Sequence, residues 1–135
     1  MAVLMELSRI LIRELNDYQL IELREVEGER SFPIVIGLPE AQAIERRLKG
    51  IEIKRPQTHE LMANVIEALG ARLVSVTIND LCDHTFFATL DVERDDGESL
   101  HIDSRPSDAI ALGSGAGVPI YVEDHVLDEA QSEEV

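Results

Sequence analysis

Apolar and polar residues alternate with a strand-like period in the first part of the chain. Residues 3–14 and 18–26 show this alternation, and Asn16-Asp17 between them suits a turn. An apolar run at residues 32–36 follows after a second turn. The three segments predict an antiparallel meander, in which the third strand lies at an edge because Pro33 cannot donate a ladder hydrogen bond.

The spacing of apolar residues becomes helical between residues 39 and 70. Pro39 and Glu40 suit the first turn of a helix that Gly50 ends. Thr58 is the predicted N-cap of a second helix, so the two helices form a hairpin. The apolar positions that share a face are Ala41, Ile44 and Leu48 in the first helix, and Leu61, Met62, Val65, Ile66 and Leu69 in the second.

Strand patterns return after the helical hairpin. Alternation at residues 74–79 and 86–93 predicts two half-buried strands, and Asp95-Asp96-Gly97 predicts a hairpin turn into a further strand. Residues 106–112 predict a third, short helix, and residues 119–122 predict a last strand. Strands, then helices, then strands again indicate an α+β fold with a mostly antiparallel sheet.

The length and composition predict a single domain. The chain has 135 residues, of which 44% are hydrophobic, and their regular spacing is not that of a disordered acidic chain. We expect one domain over residues 1–135, with a core at about 3–129 and an acidic tail at 130–135 after a short acidic helix. No apolar run approaches the roughly 20 residues needed to cross a bilayer, so no membrane association is expected. A single cysteine excludes an internal disulfide, and the reducing cytoplasm is the expected compartment.

The net charge of −15 is unevenly distributed. Residues 56–135 hold three basic and seventeen acidic side chains, whereas residues 1–55 hold nine basic and ten acidic ones. An acidic surface repels the phosphate backbone, which disfavours nucleic-acid binding over a broad face. One cationic segment is the exception, and it is either a solvated helix end or a phosphate-contacting patch. Its cations are Arg46, Arg47, Lys49, Lys54 and Arg55.

Two motifs that look like functional sites are explained better by local structure. The glycines of residues 113–117 close a predicted helix, whereas a dinucleotide-binding glycine loop opens one, so they predict helix termination and a turn. Cys82 and His84 stand in a predicted turn with no orienting third group, which favours an incidental cysteine over a nucleophile. The four histidines lack the spacing of a helical zinc site. No organic cofactor is expected.

Residues 103–108 form the strongest cluster of chemistry-bearing side chains. Asp103 ends a predicted strand and Pro106 begins a helix, so carboxylates, hydroxyls and free N–H groups share a small volume. Carboxylates suit a hard cation that assists phosphodiester cleavage, and Arg105 can hold the phosphate.

Each of these residues also has a purely structural interpretation. Ser104 or Ser107 can cap the helix, Asp108 can complement its dipole, and Arg105 can pair with Asp103. His59, at the start of the second helix, is either a surface histidine or a phosphate-contacting or acid–base group, since helix N-termini attract anions. The residues alone leave these alternatives open.

Several segments resemble the bifunctional nuclease domain family. The most specific is Asp103-Ser104-Arg105-Pro106-Ser107-Asp108-Ala109-Ile110-Ala111, and the resemblance covers roughly residues 3–129. Phe87 stands where the family often has Tyr, and Gly113 and Gly115 replace better helix formers, so we expect a shorter or looser helix after Asp108. Further segments that carry the resemblance lie at residues 32–37, 40–44, 55–61, 85–88 and 118–122.

The resemblance implies an α+β single domain that associates with itself, a dimer being favoured, and that cleaves RNA and DNA with little base preference. On this hypothesis Asp103 and Asp108, helped by Glu40, hold Mg²⁺ or Mn²⁺, and His59 acts with Asp103 and Asp108 in catalysis. The phosphate-binding residues would be Arg105, Ser107, Arg46, Arg47, Lys54 and Arg55. The alternative is a non-catalytic oligomeric binding or regulatory module, in which the motif residues cap helices and pack.

Overall fold

The computed structural model describes residues 1–13 and 15–133, and over these residues seven strands form one mixed sheet whose inner face carries four helices. The α+β fold is therefore confirmed. Glu14, the predicted end of the first strand, and residues 134–135 of the predicted tail lie outside the described residues. The strands are β1 (Ala2–Leu11), β2 (Gln19–Glu25), β3 (Ser31–Ile36), β4 (Ala71–Cys82), β5 (Thr85–Arg94), β6 (Ser99–Ser104) and β7 (Ile120–Glu123). The helices are α1 (Leu38–Lys49), α2 (Thr58–Ala68), α3 (Pro106–Ala116) and α4 (Asp124–Glu133).

The first three strands form the predicted antiparallel meander. β2 pairs with β1 on one side and with β3 on the other. Phe32, Ile34 and Ile36 are buried on the inner face, whereas Pro33 and Val35 point away from it. β3 is an edge strand, as the position of Pro33 predicted.

The strand order β3-β2-β1-β7-β4-β5-β6 places β7 between the two halves of the sheet. β7 runs parallel to β4 and antiparallel to β1, so a short strand near the end of the chain joins two meanders that are separate in sequence. The sheet curls strongly, as a contact between its two halves shows. The rings of Phe32 in β3 and Phe86 in β5 stack with centroids 5.4 Å apart, although four strands lie between β3 and β5. The two ends of the sheet therefore approach each other across the core.

Helix α1 begins and ends where the sequence predicted. Pro39 lies in its first turn, and Gly50 ends it in a left-handed conformation with φ of 62°. Ala41 and Ile44 are fully buried. Leu48 was expected on the same buried face, but it is exposed because it lies in the last turn, beyond the contact with the core.

Helix α2 differs from the prediction at its cap and on its apolar face. Gln57, not Thr58, is the N-cap, since its side chain and that of Glu60 form a reciprocal capping box. Ala63 and Ile66 pack against the core. The remaining apolar side chains of the predicted stripe are exposed, namely Leu61, Met62, Val65 and Leu69.

Helices α3 and α4 are both longer than predicted. α3 continues from Leu112 through Gly113 and Gly115 and ends at Gly117, so the expectation of a helix shortened by glycines is wrong. α4 continues through residues 130–133 of the predicted tail, and Ala130 is buried against the core. No helix in the described part of the chain has the length and apolar character needed to span a bilayer.

Candidate active site

The first turns of α2 and α3 bring an imidazole, a carboxylate and a guanidinium together. His59 Nε2 lies 2.9 Å from Asp108 Oδ1, and Arg105 donates to both oxygens of the same carboxylate, from Nε at 2.9 Å and from a terminal nitrogen at 3.2 Å. Asp108 and Arg105 are one helical turn apart, whereas His59 arrives from a segment 49 residues earlier in the chain. The His59 side chain is 13% exposed and that of Arg105 is 64% exposed, so a partly buried imidazole and an accessible cation share one carboxylate.

The contacts of Asp108 favour its ionised form and determine the tautomer of a neutral His59 ring. Burial opposes ionisation of Asp108, but the hydrogen bonds from Arg105 and His59 outweigh it, so the pKa of the Asp108 carboxyl lies below its ordinary value. The hydrogen bonds from Arg105 to Asp108 raise the pKa of the Arg105 guanidinium, and the nearby Glu40 carboxylate, at 3.9 Å, adds to the effect. An ionised carboxylate can only accept, so His59 donates through Nε2–H and its Nδ1 is the basic nitrogen of the neutral ring.

Arg46 and Arg47 hold the start of α2 and so support His59. Each donates to one oxygen of Glu60 at 3.3 Å, and Arg47 Nε also donates to the carbonyl oxygen of Ala111 at 2.8 Å. Glu60 in turn accepts from the backbone N–H of Gln57 at 3.2 Å. Burial opposes ionisation of Glu60, but hydrogen bonds from its own backbone N–H and from Arg46 and Arg47 keep its pKa below the ordinary value. The structure therefore engages the two arginines that the sequence predicted as phosphate ligands in a network with Glu60.

The other predicted phosphate-binding residues have different positions. Lys54 and Arg55 are exposed in the segment between α1 and α2. Ser107 is buried in the first turn of α3. Arg105 is thus the exposed cation that directly contacts the His59–Asp108 pair.

Asp103 does not join this cluster. It pairs with Thr89 in the β5–β6 ladder, and in a strand successive side chains point to opposite faces. Leu90 and its partner Ile102 lie at the inner-face positions of that ladder, so Asp103 belongs to the outer face of the sheet, away from the helices. Asp108 lies on the helical side. Asp103, on the outer face, and Asp108, on the helical side, are therefore not brought into one cluster.

The predicted metal ligands do not form a cation site. Among residues 1–13 and 15–133, no three His, Cys, Asp or Glu side chains are grouped as ligands. Both oxygens of Asp108 accept hydrogen bonds from Arg105 or His59, and Glu40 faces the Arg105 guanidinium. A hard cation binds where carboxylate oxygens are available to it, so the donor set that sequence reasoning assembled does not fit Mg²⁺ or Mn²⁺.

A surface cavity of about 570 Å³ opens beside Arg105. Residues 32–37 form one wall, the turn into β5 at residues 84–86 forms the opposite wall, and residues 105–107 with Glu40 form one end. We call it the β3 cavity. It exists because the curled sheet brings β3 and the start of β5 to opposite sides of the same opening. The cavity combines an apolar wall with a charged end.

Comparison with known proteins shows which family the chain belongs to. Residues 21–134 match the bifunctional nuclease domain family. The chain belongs to this family. It is 41% identical over 121 residues to uncharacterized proteins from two strains of Mycobacterium tuberculosis, which covers 90% of this chain and 71% of theirs. It is 30% identical over 105 residues to Bifunctional nuclease 2 of rice, Oryza sativa subsp. japonica, which covers 76% of this chain and 32% of the rice protein.

In this bifunctional nuclease domain, two of the family-like segments supply the two halves of the cluster. Residues 55–61 contribute His59 and Glu60, and residues 103–112 contribute Arg105 and Asp108. A third segment, residues 85–88, contributes the cavity wall through Thr85 and Phe86.

A second polar cluster lies on the outer face of the sheet, and it was not predicted from the sequence. Asp91 accepts hydrogen bonds from Ser75 at 2.7 Å, Thr77 at 2.6 Å, Thr89 at 3.0 Å and His101 Nδ1 at 2.9 Å. These donors come from β4, β5 and β6, so one carboxylate ties three strands together. The alternation of hydroxyl residues in the two long strands was a signal, but their register was not readable from the sequence.

Proposed function

We propose that this protein is a nuclease that hydrolyses phosphodiester bonds in RNA and DNA with little base preference. The observation that carries the proposal is the His59–Asp108–Arg105 cluster beside the open β3 cavity. Family membership supports the same function, because the rice relative is named a bifunctional nuclease. We further propose that the protein acts in the reducing cytoplasm, where its single cysteine, the exposed Cys82, stays a thiol.

The proposed chemistry follows from the substrates. DNA lacks the 2′-hydroxyl, so an activity on both nucleic acids uses water as the nucleophile. The water oxygen forms a bond to phosphorus, and the bond from phosphorus to one ester oxygen breaks. His59 Nδ1 takes the proton of the water, Asp108 stabilises the imidazolium that results, and the departing oxygen gains a proton from solvent.

Arg105 binds the phosphate in this proposal. Its guanidinium is exposed, planar and held in place by Asp108, which suits two parallel hydrogen bonds to phosphate oxygens. It offsets the repulsion that a chain of net charge −15 exerts on a polyanion. Lys54 and Arg55 add positive charge in the segment before His59.

The proposed chemistry does not depend on a divalent metal, since the described carboxylates do not form the predicted ligand set. The chemistry above uses only His59, Asp108 and Arg105. Cleavage measured in EDTA and then with added Mg²⁺ or Mn²⁺ tests the metal separately from the side chains.

The test of the function is cleavage of a fluorescent single-stranded oligonucleotide by the purified protein. We expect cleavage to fall by roughly 100-fold or more on His59→Gln, because general acid–base groups contribute at least that much. His125→Gln is the matched control, since His125 lies on α4, outside the cluster, and is 61% exposed. Equal activity in His59→Gln and the wild type would contradict the proposal.

A second candidate function is an oligomeric binding or regulatory module. The observation that favours it is the exposed apolar face of α2, which a second copy of the chain could cover. Both candidates are compatible with a homodimer, but only the first requires His59 to change the rate of phosphodiester cleavage.

A further inference from the structure

We propose that the β3 cavity is a nucleobase subsite, which takes one base turned out of a strand while the adjoining phosphate lies on Arg105. This inference rests on the proposed nuclease function and extends it to the way in which substrate is held. It commits to one occupant, a purine or pyrimidine base, and the following observations support it.

The size and the wall of the β3 cavity suit a flat aromatic ligand. Its volume of about 570 Å³ lies within the range of small-ligand pockets, roughly 300–1,000 Å³. The wall includes Pro33, Val35 and Phe86, and Val35 is 61% exposed although it is an aliphatic residue. Base–aromatic stacking, here on Phe86, tolerates any base, which matches an activity with little base preference.

The charged end of the cavity supplies the phosphate contact. Arg105 both lines the cavity and contacts Asp108, so it is shared between the cavity and the His59–Asp108 pair. A base in the cavity therefore places the neighbouring phosphodiester near the candidate catalytic groups. Glu40 and Ser107, at the same end, offer hydrogen-bonding groups to the base edge or sugar.

The tight turn between β4 and β5 carries His84, which lines the cavity. Asp83 and His84 form a two-residue turn between β4 and β5 with φ of 50° and 63°, where glycine or asparagine is ordinarily preferred. Each such non-glycine residue costs of the order of 1 kcal/mol. His84 lines the cavity, whereas Asp83 shares the strain but does not line it.

A base can enter the cavity only when it is unstacked and unpaired. Enzymes that bind a base in a pocket act on single strands or turn the base out of a duplex, which opposes binding by the energy of unpairing. A strand that lacks a base at one position should therefore be a poor substrate at that position. We expect the phosphodiester beside an abasic nucleotide to be cleaved about 10-fold more slowly than its counterpart in the intact strand, because stacking of one base contributes on that scale.

The first experiment measures binding without cleavage, by NMR titration of the full chain with adenosine 5′-monophosphate and with ribose 5-phosphate. The nucleotide is expected to shift the signals of Val35, His84 and Phe86, and the sugar phosphate only those near Arg105. Val35→Glu should weaken nucleotide binding about 10-fold, because a carboxylate on the apolar lining opposes burial of the base against it. Val26→Glu is the matched control on an exposed valine that does not line the cavity. Equal shifts from both probes, or equal affinity in both variants, would overturn the subsite.

The second experiment distinguishes a loss of base binding from a change in protein stability. His84→Gly and Asp83→Gly both relieve the left-handed backbone conformation, but only His84→Gly should raise KM for an oligonucleotide, because only His84 lines the cavity. Equal KM in both variants would count against the subsite. Cleavage of intact and abasic strands at equal rates would refute the subsite and leave the nuclease standing. Nucleotide binding in the cavity without any cleavage would support the subsite and refute the nuclease.

Discussion

Gly115 of α3 lies directly against the guanidinium of Arg47 in α1, so that a Cβ atom at position 115 would collide with it. The absence of a side chain lets Arg47 reach both Glu60 and the carbonyl oxygen of Ala111. The glycine that looked like a helix breaker is therefore a packing residue between two helices.

Replacing Gly115 by Ala should have opposite effects in two backgrounds. In the wild type, Gly115→Ala displaces Arg47 from its hydrogen bonds and should lower the free energy of unfolding by about 1 kcal/mol. With Arg47→Ala already in place, the same change should raise it by up to about 1 kcal/mol, because alanine has the higher helix propensity. Urea unfolding of the two single variants and the double variant measures the cycle. The same sign in both backgrounds would contradict the packing argument.

The separation of Asp103 from Asp108 predicts unequal roles for two carboxylates five residues apart. Asp108→Asn removes the negative charge that His59 and Arg105 pair with, replaces one acceptor oxygen by an amide donor, and should lower kcat/KM by roughly 100-fold or more. Asp103→Asn changes an exposed residue of the outer face and should leave kcat/KM within about twofold of the wild type. Steady-state cleavage of one oligonucleotide by both variants checks this. A loss in Asp103→Asn as large as that in Asp108→Asn would show that Asp103 belongs to the site.

Features of the fold that depend on nearby residues could be predicted from the sequence, whereas features that depend on contacts between distant segments could not. The meander, the start of α1 and the turn at Asp95-Asp96-Gly97 follow from local periodicity and turn chemistry, and all three are present. The strand order could not be predicted, because the placement of β7 between β1 and β4 depends on pairing between distant segments. The continuation of α3 through Gly115 was missed for the same reason, since Arg47 comes from another helix.

The candidate site was predicted in part. Sequence reasoning chose His59, Arg105 and Asp108, and the structure brings these three together. It also grouped Asp103 with Asp108 by proximity along the chain, because a strand-to-helix junction does not reveal on which face the last strand residue lies. The role of Arg46 and Arg47 was not predicted either, because the sequence does not show that both side chains pair with Glu60.

Stability in acid should depend on Asp91. Burial opposes its ionisation, but hydrogen bonds from Thr77, His101, Ser75 and Thr89 outweigh burial, so its pKa lies below the ordinary value of about 4. A carboxyl with a lowered folded-state pKa stabilises the protein above its unfolded-state pKa, and this stability is lost as the pH falls through the folded-state value.

The measurement is the free energy of unfolding of the wild type and of Asp91→Asn between about pH 6 and pH 2. We expect the wild type to be more stable at the upper end and the difference to shrink as the pH falls. Asp103→Asn, on the same face, is the control and should run parallel to the wild type. A difference between wild type and Asp91→Asn that is constant with pH would contradict the assignment.

The exposed apolar face of α2 predicts self-association. Val65→Glu should shift the protein from dimer to monomer in sedimentation velocity, because a charge in an apolar interface is left without a partner. Val26→Glu changes an exposed valine outside that face and should leave the dimer intact. A wild type that sediments as a monomer at high concentration would contradict the prediction.

The polar outer face of the sheet, which carries Asp91 and Asp103, also bears on how the molecule meets a polyanion. Asp91 and Asp103 lie on the outer face, whereas Arg105 lies on the helical side beside Asp108. Carboxylates repel a phosphate backbone, so a nucleic acid that binds as proposed would be disfavoured at the outer face and would approach from the Arg105 side. The acidic outer face would then restrict the directions from which the proposed substrate can approach.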